Sequence, residues 1–283
     1  RHFDNRPTEV IKILVDDWID KNGNGVLDTS YDANDDGTIT PDEMMPLKDN
    51  NTNGIIDEEE IQDERIAWVK RVGNPGGVGR SLSIDPNGNI WVGLYYHRQY
   101  YKLDPTSGDI LVGPVSVTPH TPYGSLVDKH GILWSIDLSN QLIRLNTSDP
   151  TDTSSYNGPI GSFYCLALGY TEDDATIVYI STRRAPYGYI KFDSTTTSFT
   201  PGPIPSQYPN FGSWGIATDL EGNVIVAHMG LGYPVKYTPN GTKIWQAAPQ
   251  INAETRGIMV DSENNIWVVA RTAHKICKYH GDD

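Results

Sequence analysis

Cysteine is almost missing from this 283-residue chain, which has only Cys165 and Cys277. Two thiols cannot staple a disulfide scaffold, and both fall in expected strands of different repeats, where they read as buried free thiols. Methionine is scarce at four residues, which argues against the Met-rich groove of a calcium sensor. Basic residues are outnumbered, with 22 Lys and Arg against 36 Asp and Glu and a net charge of −14. Such a surface argues against nucleic acid and anionic membranes as partners. No apolar run reaches the roughly 20 residues of a membrane span. No nucleophile elbow, phosphate loop or zinc spacing is present. A chain opening at Arg1 without a leader fits a processed mature form. The remaining composition, 37% hydrophobic, suits one or two globular domains with a real core.

What the chain has in abundance is Asp, Asn and Gly, concentrated between Asp20 and Glu60 in three consecutive loops. In the second, DANDDGTITPDE, oxygen-bearing Asp32, Asn34 and Asp36 precede Gly37. Thr38 offers a carbonyl, Thr40 stands ninth and Glu43 twelfth. In the third, DNNTNGIIDEEE, the same places hold Asp49, Asn51, Asn53, Gly54, Ile55, Asp57 and Glu60. Oxygens at positions 1, 3, 5, 7 and 9, a glycine at 6 and a closing bidentate Glu match the demand of Ca²⁺ for about six to eight oxygen ligands. The first loop, DKNGNGVLD, matches at Asp20, Asn22, Asn24, Gly25, Val26 and Asp28 but has Tyr31 at position 12. It forms a third Ca²⁺ site, weaker for want of the closing Glu unless Asp32 reaches across, or an Asx-rich turn that stabilises itself.

These loops are identified as EF-hand-type and resemble dockerin and thrombospondin-type-3 loops. The resemblance implies a small α-helical module over residues 1–64. Helices are expected from Pro7-Thr8-Glu9 through Trp18, from Pro41-Asp42-Glu43, and from Glu58 to Trp68. The short spacing between the loops favours structural clamps over a signalling switch.

From Gly79 onward one unit recurs. Its first strand ends at an Asp, at positions 85, 128, 219 and 261, followed by a D-x-x-G-N turn and a strand carrying Trp91, Trp134, Tyr179 or Trp267. A degenerate copy begins near Tyr164. A period of about 40–45 residues with several short strands per unit is the pattern of a propeller blade. The expected fold is therefore mainly β: a five-bladed β-propeller over residues 65–283. Residues 65–72, IAWVKRV preceded by Arg65, are expected to add the outer strand of the last blade and close the ring.

The D-x-x-G-N-[IV]-W-[VF] pattern, over about residues 79–280, resembles the repeats of streptogramin (virginiamycin B) lyase and of NHL proteins. The lyase resemblance implies carbon–oxygen bond cleavage at the propeller mouth, although its His and Glu constellation finds no matching positions here. The mouth itself can be read from the repeat. Arg80, Tyr123, Tyr164, Trp214 and Arg256 precede the turn, and Arg183, Arg271, His97, His228 and Asp137 end second strands. Together they predict a funnel able to stack a sugar ring or grip a carboxylate. His228 and His97 are the candidate general bases and Asp137 their partner. The leading expectation is a calcium-stabilised binding or structural module of an extracellular assembly such as a surface layer, filament or adhesin, with a protein or glycan partner. The alternative is a lyase. Asn-rich loops fill where calcium is near millimolar, outside cells, and the sequons at Asn146 and Asn240 fit N-glycosylation of a secreted chain.

Overall fold

The computed structural model describes residues 7–45, 50–52, 58–159, 162–184, 188–203, 212–228, 233–247 and 254–281. Side chains alternating between two faces dominate these residues, so the regular structure is β. Five antiparallel meanders follow one another. Sheet I comprises Gly79–Ile84, Ile90–Leu94, Gln99–Leu103 and Ile110–Ser116; sheet II comprises Gly124–Val127, Ile132–Ile136, Gln141–Asn146 and Thr153–Asn157. Sheet III comprises Phe163–Tyr170, Thr176–Thr182, Tyr189–Asp193 and Ser198–Pro201, and sheet IV comprises Ser213–Thr218, Val224–His228, Pro234–Tyr237 and Lys243–Gln246. Sheet V has three strands, Thr255–Val260, Ile266–Ala270 and Lys275–Tyr279. The first strands of successive sheets pack side by side, as in a propeller.

The core is a series of layers between neighbouring sheets. Trp91 and Tyr100 of sheet I bury against Leu133, Ile143 and Leu145 of sheet II. Trp134 and Leu142 of sheet II meet Phe163, Val178 and Phe192 of sheet III. Tyr179 and Tyr189 of sheet III meet Val226, Val235 and Tyr237 of sheet IV, and Ile225 of sheet IV meets Ile266 and Val268 of sheet V. Polar groups also sit in these layers. His120 and the Tyr100 hydroxyl both bond the Ser135 hydroxyl, at 2.9 and 2.7 Å.

Four of the five repeats are anchored by a turn Asp. One oxygen of Asp85 accepts the backbone N–H groups of Asn87 and Asn89, both at 3.0 Å. The other accepts the Trp91 indole N–H at 3.2 Å and pairs with Lys102 at 3.2 Å. Asp128 holds His130, Ile132 and the Trp134 indole in the same way, each within 2.9 Å, and adds the Thr176 hydroxyl of the next sheet at 2.6 Å. Asp261 holds Glu263, Asn265 and the Trp267 indole. In sheet IV the tryptophan position is Ile225, and Asp219 pairs with Lys236 at 2.8 Å, as Asp85 does with Lys102. Gly88, Gly131 and Gly222 close these turns at φ near +80°, a conformation with little cost only for glycine.

Three expectations are overturned. The α-helical EF-hand-like module is not present: among the described residues there is no α-helix, only short 3-10 turns at Glu58–Glu60 and Arg271–Ala273. Residues Thr8–Ile13 form a strand, in which four of six residues are β-branched: Val10 and Lys12 face the protein while Ile11 and Ile13 face solvent. Ile66–Val72 does not close a ring on sheet V. It pairs antiparallel with Thr8–Ile13 from Thr8 opposite Val72 to Ile13 opposite Ile66, and this hairpin seats Val10, Trp68 and Val72 on Val92, Leu94, Tyr101 and Leu103 of sheet I. The five-bladed closed propeller is likewise not found among the described residues. Leu82 and Ile84 on the first strand of sheet I are 57% and 61% exposed, and Met259 on that of sheet V is 63% exposed. Trp267, the counterpart of buried Trp91 and Trp134, is half-buried, with the Lys278 ammonium 5.4 Å from its ring.

Two outcomes follow. Trp68→Ala should cost about 3–5 kcal/mol in chemical denaturation, because the indole fills the hairpin–sheet layer; a loss under 1 kcal/mol would contradict that packing. Stability should also fall in two stages on acidification. Burial lowers the basicity of His228 from 6.5 to about 3. Burial also takes His120 to about 4 against the opposing pull of Asp137. The unfolded chain therefore binds protons that these folded imidazoles refuse, and stability drops from about pH 6.5 downward. Asp261, lowered from 3.8 to about 2 chiefly by the Trp267 indole N–H, contributes stability above pH 3.8 that is lost as pH falls toward 2. Thermal melts across pH test both stages, and His228→Gln should flatten the first.

Candidate functional site

Two regions gather the candidate functional residues. The first is the loop region. In loop one the Asp20 carboxylate accepts the N–H groups of Gly23, Asn24 and Gly25, at 2.6, 3.2 and 3.0 Å. Asn22 and Asn24 accept the N–H groups of Asn24 and Val26, and both donate to Asp28. In loop two Asp32 accepts Asp36 and Gly37, Asn34 accepts Asp36, and Asp36 accepts Thr38. Glu43 folds back onto the N–H groups of Ala33 and Thr40, both at 2.9 Å. Its hydrogen bonds, those from Thr40 foremost, hold its carboxyl below the usual range. In loop three Asp49, Asn53, Ile55 and Asp57 lie outside the described residues. Glu60 accepts the N–H groups of Asn50 and Asn51 at 2.8 and 3.0 Å. Among the described residues no three carboxylate, imidazole or thiol side chains converge as a metal cluster. A cation here would need the Asn and backbone oxygens of Asn22, Asn24, Val26, Asn34 and Thr38 as well, a hard-oxygen set that fits Ca²⁺ and not a transition metal.

The second region is the mouth, where the strands bring the expected residues together. Tyr123, Tyr164 and Trp214 stand on the entries to sheets II, III and IV, and their rings form one run: 5.5 Å from Tyr123 to Tyr164 and 4.6 Å from Tyr164 to Trp214. Guanidiniums lie over it. Arg80 stands 4.5 Å from the Tyr123 ring, Arg183 5.6 Å from Tyr164 and Arg256 4.3 Å from Trp214. Tyr95 extends the run beyond Arg80. Burial, helped by the Tyr164 hydroxyl, pushes the Tyr123 phenol up to about 12, so it is a neutral donor. One residue escaped the sequence reading. Glu254 pairs with Arg256 at 2.8 Å and with Arg271 at 2.9 Å, and its position two residues before Arg256 was the available signal. Arg183 is tied to the Ser162 hydroxyl at 3.1 Å. Among the described residues neither Arg80 nor Arg183 pairs with a carboxylate. The mouth is therefore a cationic, aromatic patch on an acidic chain.

The residues expected to act as acid and base do not meet. His228 is 1% exposed and bonds the Tyr237 hydroxyl at 2.8 Å, so it faces the layer between sheets III and IV. His97 lies against Gly77. Asp137 is committed to the N–H groups of Ser139 and Gln141 and to the Ser139 hydroxyl. Cys165 and Cys277 are both free, and no described helix is long and apolar enough to cross a membrane.

No family model matches the chain, and no curated protein matches it. The EF-hand likeness thus rests on the residue pattern of the loops alone. Solved structures do match. Virginiamycin B lyase from Staphylococcus aureus superposes with a TM-score of 0.61 at 16% identity, covering 78% of this chain and 75% of that one. A catalytically inactive form of the same lyase with quinupristin gives 0.63 at 17% identity, with the same coverage. The extracellular domain of a hybrid two-component system from B. thetaiotaomicron gives 0.53 at 15% identity, covering 74% of this chain and 28% of that chain. At such identities the likeness is one of fold, and that fold is a β-propeller of the streptogramin B lyase kind.

Proposed function

We propose that this chain is a calcium-stabilised, extracellular propeller-type module that binds an acidic glycan at its mouth. The observation that carries the reading is the run Tyr123–Tyr164–Trp214 overlaid by Arg80 and Arg183, guanidiniums with no carboxylate partner among the described residues. Flat aromatic faces suit sugar rings, and guanidinium forks suit the carboxylates of uronic acids. The location is supported by Asn-rich loops of the weak, extracellular type and by a fold neighbour described as an extracellular domain. The loops serve as clamps on the hairpin side of the molecule.

Calorimetry with an oligogalacturonide and with a neutral oligosaccharide of equal length tests the site. Only the acidic ligand should bind, and Arg80→Ala with Arg183→Ala should weaken it about 10- to 100-fold. Equal binding of both ligands, or of neither, would sink the reading. Calcium should raise the melting temperature and EDTA lower it, since a ligand of the native state must stabilise that state; identical melts would refute the clamps. The second reading, a carbon–oxygen lyase at the same mouth, is favoured by the lyase neighbours. Turnover of quinupristin by this chain would support it.

A further inference from the structure

Loop one lacks a closing glutamate in its own sequence, and the structure supplies a carboxylate from elsewhere. In loop two the position-12 Glu43 grips the backbone N–H groups of loop positions 2 and 9, Ala33 and Thr40. In loop one positions 2 and 9 are Lys21 and Asp28. Both of their N–H groups donate to Glu64, at 2.8 Å to Oε1 and 2.8 Å to Oε2. Glu60 takes the position-2 N–H of loop three in the same manner. Glu64 thus stands in loop one where Glu43 stands in loop two, although it lies far along the chain and outside any loop motif. Its backbone is stitched to the same loop, from Glu64 N–H to the Asp28 carbonyl at 2.9 Å and from Ile19 N–H to the Glu64 carbonyl at 3.0 Å.

A second observation points to a cation. Glu64 is 0% exposed, and no Lys, Arg or His among the described residues forms an ion pair with it. The Lys21 ammonium is directed to the carbonyls of Ile61, Asp63 and Ile66 instead. A carboxylate withdrawn from water without a counter-charge is costly, and two backbone N–H groups use only half of its acceptor capacity. We infer that Glu64 is the closing ligand of a Ca²⁺ site in loop one, shared with Asp20, Asn22, Asn24 and the Val26 carbonyl, with Asp28 at position 9. The inference rests on the proposal that these loops bind calcium. It adds that loop one is a complete site built from two distant parts of the chain. Tyr31 at position 12 is 63% exposed and bystanding.

Terbium luminescence tests this on the full chain. Trp18, two residues before Asp20, is the antenna for loop one. Tb³⁺ emission excited through indole should appear in the parent protein, fall in Trp18→Phe, and be displaced by Ca²⁺. Glu64→Gln should weaken that signal about tenfold or more in Tb³⁺ affinity, and should lower bound calcium by about one ion per chain in direct metal analysis. Glu43→Gln should remove a different ion and leave the Trp18 signal in place. Near-ultraviolet circular dichroism of the sheet tryptophans shows whether Glu64→Gln is folded. If it is not, Glu64→Asp, which keeps the charge but shortens the reach by one methylene, substitutes for it and should weaken the same signal. Parent-level affinity and stoichiometry in both variants would overturn the assignment while leaving calcium binding by the other loops standing. Absence of any calcium from the parent protein would overturn both.

Discussion

The architecture depends on a buried carboxylate that does two jobs at once. In four of the five repeats the Asp at the end of the first strand ties down a tight turn through two backbone N–H groups. It also reaches sideways to a tryptophan indole or a lysine ammonium from the neighbouring strands. Because Trp91 and Trp134 then lie flat in the layer facing the next sheet, the turn chemistry of one repeat sets the packing surface for another. Sheet IV shows that the constraint is electrostatic as much as steric. Where the indole is lost to Ile225, the lysine partner that Asp85 also has in Lys102 remains, and Lys236 is buried against Asp219. In the degenerate third repeat Gly169 stands in place of the Asp and Tyr179 in place of the Trp. Asp128 of the preceding sheet compensates by accepting the Thr176 hydroxyl. The repeats are therefore coupled through their anchors, and each sheet borrows order from its neighbour.

The same periodicity explains the mouth. A residue at a fixed distance before each anchor emerges at the same height on successive sheets. Tyr123, Tyr164 and Trp214 therefore line up although about 40 to 50 residues separate each from the next. Local packing chose aromatics, and the open side of the run collected guanidiniums. Glu254 balances only the end nearest sheet V, which makes the charge of the mouth graded rather than uniform.

The sequence disclosed what repeats and withheld what does not. Strand identities, turn anchors and the grouping of the mouth residues follow from alternation and from a pattern seen four times over. The hairpin of Thr8–Ile13 with Ile66–Val72 occurs once, and each half read alone fits another structure: the first a helix opened by Pro7-Thr8-Glu9, the second an outer strand like Lys243–Gln246. A strand's own residues record that it needs a partner but not which one. The separation of His228 from His97 and Asp137 has the same origin. Placement on a strand end is visible in sequence, whereas the direction of the side chain, here into the layer with Tyr237, is decided by packing. Glu64 was beyond reach for a further reason. Its role is defined by two N–H groups in another segment, and no spacing rule connects residues that only the hairpin brings together.

That hairpin also changes how the acidic segment should be regarded mechanically. Leu14 N–H still bonds the Arg65 carbonyl at 2.8 Å at its open end, so residues 14–65 form a single excursion pinched at the neck. Closing a loop of this length costs roughly 3–4 kcal/mol of chain entropy. That cost falls on the neck pairing and on the contacts of Glu64 just inside it. Among the described residues the excursion adds no strand to the five sheets. The described part of the excursion is tied to the hairpin at this neck.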